Sequence, residues 1–185
     1  MVKEINIRAI LIQGLSVLLL CTIIELGAGF TLKEMERRFA LIPGLAIMTL
    51  PLLDLRGDIN GALASRLGTA LHTGVIEPKL KLTAELKTNL VATLILSLIA
   101  SATIGGLSWL TGVVMGLTVN ILQLIGVAVM AGFISGLILA GLTILVAVFA
   151  YLHGWDPDNI TSPMMATIGD FLMAICIYLA VLAVG

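Results

Sequence analysis

From Val119 to Tyr151 the chain runs without a single Asp, Glu, Lys or Arg. A solvated helix of that length would need a charged face, and a strand of that length is rare. A helix crosses about 30 Å of hydrocarbon with roughly 20 apolar residues, and it satisfies its own backbone hydrogen bonds, as lipid requires. Stretches of similar character run from Ala9 to Phe30, from Leu86 to Leu107 and from Pro163 to Val184. Of the 185 residues 59% are hydrophobic and only 11% charged, where a soluble domain carries about 25% charged residues. The charges are too few to cover a globular surface, so the apolar excess must meet lipid. The sequence therefore predicts an all-α integral membrane protein, multi-pass in the cell membrane. Residues 1–185 read as one transmembrane domain with no room for a separate soluble one.

Lys3 and Arg8 before the first apolar run give it a superficial likeness to a signal peptide. The run is too long for one and lacks a convincing small-residue cleavage site, so it reads as the first span. The second, from Phe39 to Leu71, is unusual. It holds Pro43 and Pro51, then Asp54-Leu-Arg-Gly-Asp-Ile-Asn-Gly, with Ser65 and Arg66 beyond. Charges at the bilayer centre cost several kcal/mol each, and Pro and Gly free backbone groups that lipid leaves unsatisfied. A second helix broken near the Asp54–Gly61 stretch is expected, its irregular middle buried in protein or lining a water-filled cavity. Gly105-Gly106 and Thr111-Gly112 suggest the turn after the third span, and Ser162-Pro163 the N-cap and first position of the last. The total is five transmembrane helices. Trp109, Tyr151 and Trp155 suit interfacial belts, and Lys3, Arg8, Lys79, Lys81 and Lys87 against Lys33, Arg37 and Arg38 favour an inner N-terminus.

The informative residues are those expensive to bury. Asp170 stands seven residues after Pro163 inside the last span. Its one-carbon stem prevents it from reaching the interface, as a Lys or Arg would. It must face the bundle interior and be neutralised by a proton, a cationic side chain such as Arg56 or Arg66, or a bound cation. Asp54 and Asp58 are four apart and share a face if helical. Asn60 lies close by in the Gly-rich stretch. Asp156, Asp158 and Asn159 precede the last span, where they also suit a turn. Glu25 is a fourth such acid, but near the end of the first span it reads more readily as a residue that reaches the interface. Donors that are all oxygen suit a hard cation. His72 and His153 have no partner at zinc spacing, and Cys21 and Cys176 read as small buried hydrophobes. Mg²⁺ gives up its waters reluctantly and needs few direct protein ligands, so one Asp170 per chain, doubled by a two-fold axis, suits it. Gly57/Gly61, Ala64/Gly68 and Gly132/Gly136 are each spaced by four and allow close helix approach.

The stretch from Pro51 through Gly57-Asp-Ile-Asn-Gly-Ala-Leu-Ala-Ser-Arg to His72 resembles the signature of MgtE-type magnesium transporters, especially their eukaryotic solute-carrier relatives. The stretch Asp156-Pro-Asp-Asn-Ile-Thr-Ser-Pro-Met-Met-Ala-Thr-Ile-Gly-Asp170 resembles the segment leading into that family's last helix. The resemblance implies a homodimer, with the ion path at the two-fold interface lined by helices two and five. It implies that Asp170 is the main pore carboxylate, with Asp54, Asp58, Asn60, Asp156, Asp158, Asn159 and Thr167 shaping the path, and Mg²⁺ as the ion carried. Where the family usually has Asn after the first Gly this chain has Asp58, with Asn60 two places on, and either fits that role. Bacterial members carry cytoplasmic sensor domains; none is expected here.

No basic stripe accompanies the net charge of −1, so nucleic acid is not a partner. Two other functions are open to the residues. Asp58, Gly61, Ser65-Arg66 and Gly68 faintly echo an intramembrane phosphotransferase, but the next acid after Arg66 is Glu77, too distant for its metals. A non-transporting assembly subunit would have its buried charges paired.

Overall fold

The computed structural model describes residues 7–78 and 83–184, and these form six helices. They are α1 (Ile7–Glu34), α2 (Glu36–Leu41), α3 (Leu45–His72), α4 (Ala84–Val114), α5 (Ile121–Leu152) and α6 (Pro157–Val184). By length and composition α1, α4, α5 and α6 can each cross a membrane. The chain is an all-α, multi-pass membrane protein. At 1.5 Å per residue α3 is about 42 Å long, long enough to cross as well, but it carries charges along its middle, whereas those of α4 are confined to its first turn and α5 has none.

Local chemistry sets the ends. Thr83 caps α4 by accepting from the Leu86 N–H at 3.3 Å, and Asn120 caps α5 by accepting from Leu122 and Gln123 at 3.0 and 3.3 Å. Pro157 opens α6, where its missing N–H costs nothing. Gly116, at φ 77°, carries the α4–α5 turn in a conformation that other residues resist.

α6 is the hub, packed against α1, α3 and α5, while α3 also packs on α4 and α5. α1 leans on α6 and leaves most of its surface outward. Glycines let the helices close. A β-carbon at Gly105 would sit 2.9 Å from the Ile125 backbone, and one at Gly57 would meet Ala166 at 3.5 Å. The core divides into two apolar clusters. One gathers Met48, Leu52, Leu124, Val127, Met173 and Ile177, and the other Leu63, Leu67, Leu86, Ala140 and Ile144. Between them along α3 lie Arg56 and Asn60, facing Ser97 and Ser101 of α4 and Gly132, Ser135 and Gly136 of α5, all buried. The bundle is apolar at both ends and polar in the middle.

Three expectations change. The Asp54–Gly61 stretch is continuous helix, and the irregular backbone lies earlier, at residues 42–44, where Gly44 has φ 88°. No break is needed because the polar residues divide between two faces of α3: Arg56 and Asn60 turn inward, Asp54 and Asp58 outward, and the glycines serve close packing. Pro51 falls in the second turn of α3 and removes one helix bond without ending it. The turn after α4 comes at Met115–Asn120 rather than at Gly105–Gly112, where Gly105 lies against α5 and Gly112 against Val119. Ser162-Pro163 is inside α6, which starts six residues earlier. Asp170 is therefore thirteen residues from the helix start, about 20 Å along an element of about 42 Å. That is mid-helix, deeper than Ser162-Pro163 implied.

Candidate functional site

The contacts between α3 and α6 fix a register. Gly57 faces Ala166 and Gly61 faces Ser162, so the helices run antiparallel and each four-residue step along one is a step back along the other. Continued by one more step, Leu53 and Asp54 come level with Asp170. α1 runs parallel to α6, with the Cys21 thiol 3.7 Å from the Pro163 carbonyl and Gly27 against the Phe171 ring. This sets Glu25 at the same height. Glu25 and Asp54 both lie within electrostatic reach of Asp170. Three acids from three helices thus stand at one level, midway along α6.

Asp54 and Asp170 line an open recess of about 550 Å³ with Leu50, Pro51 and Leu53. Asp170 is half-buried there, while Asp54, Asp58 and Glu25 are exposed on the chain alone. None of the four is hydrogen-bonded or ion-paired among the described residues, so pairing of Asp170 with Arg56 or Arg66 does not occur. Below Asp58 the same face of α3 continues through Gly61, Ser65 and Thr69, with Arg66 beside it in a smaller polar recess.

The remaining predicted residues are placed elsewhere. Asn60 is fully buried on the opposite face of α3. Its amide donates to the Arg56 carbonyl at 3.0 Å, and its oxygen lies 3.5 Å from the Thr143 hydroxyl. Thr167 is buried in the α6 packing. Asp156 is at the opening of α6, its carboxylate 4.0 Å from His72 Nε2 at the end of α3. This contact joins the far ends of the two helices that carry the recess. The side chains of Asp158 and Asn159 lie outside the described ones.

Two features escaped the sequence reading. Glu25 is not near the end of its helix, because α1 continues to Glu34 and puts Glu25 level with Asp170. The spacing of Thr93, Ser97 and Ser101 by four was the visible signal for a buried polar stripe on α4, but scattered hydroxyls in a membrane helix look like background. No group of three His, Cys, Asp or Glu side chains among the described residues is close enough to hold one bare ion. The recess instead offers dispersed negative charge and room, which suits a hard cation that keeps water ligands.

The family model for MgtE, described as a divalent cation transporter, matches residues 49–181, which contain α6 but for its last three residues and α3 but for its first four. The chain belongs to the MgtE family. Among curated MgtE-related proteins it is 28% identical over 148 residues to solute carrier family 41 member 3 of Mus musculus, covering 76% of this chain and 28% of that protein. It is 29% identical over 142 residues to the Rattus norvegicus counterpart, covering 72% and 30%. It is 28% identical over 152 residues to solute carrier family 41 member 2 of Homo sapiens, covering 76% and 24%. The chain thus spans less than a third of the length of these relatives. No solved structure gives a significant match. MgtE is a transporter family, which removes the phosphotransferase alternative.

Proposed function

We propose that this chain carries Mg²⁺, or a divalent cation of like hardness, across the cell membrane as a homodimer. The ion path follows the face shared by α3 and α6, and α1, α3, α4, α5 and α6 are the five spans of a single transporter domain. One observation carries the reading: Glu25, Asp54 and Asp170 stand level, halfway along α6, without a cationic partner. Unpaired carboxylates at bilayer depth are tolerated when they face a water-filled path and a mobile cation.

The homodimer follows from the same face. Asp54, Asp58, Ser65 and Thr69 are exposed on one side of α3, and no helix presents such a face to lipid. A second copy related by a two-fold axis covers it and doubles the carboxylates. In the path Asp170 is the principal ion ligand, Asp54 and Glu25 add field, and Asp58 lies one turn further on. Thr167 and Asn60 support the packing behind the path, and Asp156, Asp158 and Asn159 stand at its mouth.

Liposomes holding the purified protein provide the test, loaded with a Mg²⁺ indicator, wild type beside Asp170→Asn, with and without a sodium gradient. Mg²⁺ entry that Asp170→Asn abolishes supports the path, and a dependence on sodium identifies coupled exchange. A folded wild type that passes no divalent ion under any gradient rejects it in favour of an assembly subunit.

A further inference from the structure

Arg56 is the one charged side chain among the described residues that is fully buried. Its guanidinium lies in a cradle of small residues. Nη2 donates to Ser97 Oγ at 2.7 Å, and a β-carbon at Gly136 would come within 2.9 Å of Nη1. One at Gly169 would come within 2.8 Å of Arg56 Cβ, so α6 also closes on the stem. Nε and Nη1 have no protein acceptor, and no carboxylate pairs with the side chain. A positive charge therefore sits in the bundle centre with the Cys176 thiol in electrostatic reach but no carboxylate beside it to cancel its field.

The acids of the recess are its counterpart. Asp54 and Asp58 are two residues to either side of Arg56 but emerge on the other face of α3, and Asp170 directly follows Gly169. The helix body separates the two signs by roughly one helix diameter, about 10 Å. That is too far for an ion pair, yet the intervening medium is protein, where screening by salt is weak. Conduction requires an ion to bind well enough to enter and weakly enough to leave. Several carboxylates around a doubly charged ion favour entry and oppose exit, and a fixed positive charge behind them works in the other direction.

We infer that Arg56 is the built-in countercharge of the cation path: from behind α3 it weakens the hold of the acidic recess on a divalent ion and so sets the affinity at which the ion is released. The inference rests on the transport reading above. With an effective dielectric of about 20 and a separation of about 10–15 Å, the field of one charge on a divalent ion is worth roughly 40- to 300-fold in affinity. For a monovalent ion the effect is about the square root of that.

The test is the Mg²⁺ concentration dependence of liposome flux for wild type, Arg56→Met, Arg56→Lys and Ser97→Asp. Arg56→Met removes the charge. Ser97→Asp leaves it in place and sets a carboxylate where Nη2 already donates. The two changes are chemically unlike, yet both are expected to lower KM at least about tenfold and to reduce the maximal rate. Arg56→Lys keeps the charge and is expected to hold KM within about twofold of wild type. A packing role alone lowers yield and rate without moving KM. If Arg56→Met is not recovered folded, Ser97→Asp decides by itself. An unchanged or raised KM in the folded variants overturns the inference while wild-type flux and its loss in Asp170→Asn still stand. Absence of that flux overturns the transport reading, and this inference with it.

Discussion

Ser97 holds Arg56 from one side and the α5 backbone from the other. Its hydroxyl accepts from Arg56 Nη2 at 2.7 Å and donates to the Gly132 carbonyl at 2.9 Å. One side chain of α4 thus joins α3 to α5 in the polar middle of the bundle. Ser97→Ala deletes both bonds and leaves the guanidinium with no protein acceptor at all. A loss of about 1–3 kcal/mol is expected, read as a lowered melting temperature in detergent. A melting point equal to wild type would mean that the guanidinium finds another partner.

The glycines of α5 differ sharply in what surrounds them. A β-carbon at Gly132 would collide with the Ser101 side chain, while at Gly126 and Gly141 nothing lies within 4 Å. Gly132→Ala is expected to destabilise the bundle by about 1–3 kcal/mol through overpacking. Gly126→Ala and Gly141→Ala should be neutral or slightly stabilising, since Ala is the better helix former. Thermal unfolding of the three variants side by side checks the order.

Of the acids that stand level, Asp170 lines the recess half-buried, while Glu25 is exposed within electrostatic reach of it. Asp170→Asn is expected to lower Mg²⁺ flux at least about a hundredfold, because charge and ligand oxygen are lost together. Glu25→Gln keeps the ligand set and removes one contribution to the field, so a rise in KM of about threefold to tenfold is expected, with the maximal rate largely kept. Equal effects of the two changes would contradict this division of roles.

Ser65 is exposed on the α3 face that the second copy is proposed to cover. With Cys21 and Cys176 buried, a Ser65→Cys variant carries one accessible thiol. Mild oxidation in membranes should give a disulfide-linked dimer, which Leu19→Cys, on the outward face of α1, should not give. Crosslinking at Leu19→Cys alone would place the interface elsewhere.

His72 and Asp156 are each about half exposed at 4.0 Å. An exposed pair of this kind contributes little. His72→Gln is expected to leave the melting temperature within a degree or two of wild type, measured by the same unfolding assay.

Much of this architecture is legible in the residue order. Long apolar runs reveal α1, α4, α5 and α6 because lipid imposes a length and an apolar composition together. Asp170 stands out since an acid within such a run has nowhere else to go. The α3 stretch misleads for a physical reason. Pro, Gly, Asp and Arg in one short segment look like a broken helix when each is judged against lipid. Inside a bundle the same residues sort by angle around one continuous helix, and angle has meaning only once the neighbours are known. Asn60 fits a cation ligand by chemistry, but it lies six residues from Asp54, on the far side of the helix. The height of Glu25 depends on how α1 slides against α6, which is set by Gly27 meeting Phe171 and not by anything within α1 itself.

That one-sided seating of α1 has a mechanical consequence. Displacing α3, α5 or α6 would uncover the buried clusters that hold the bundle together, whereas α1 meets the rest along a single seam with α6 and lipid bathes its remainder. A small glide along that seam exchanges one lipid contact for another and changes the spacing of Glu25 from Asp170. The acidic level thus has two stiff walls and one compliant wall, so the cheapest deformation of the molecule is also the one that reshapes the field an ion would meet.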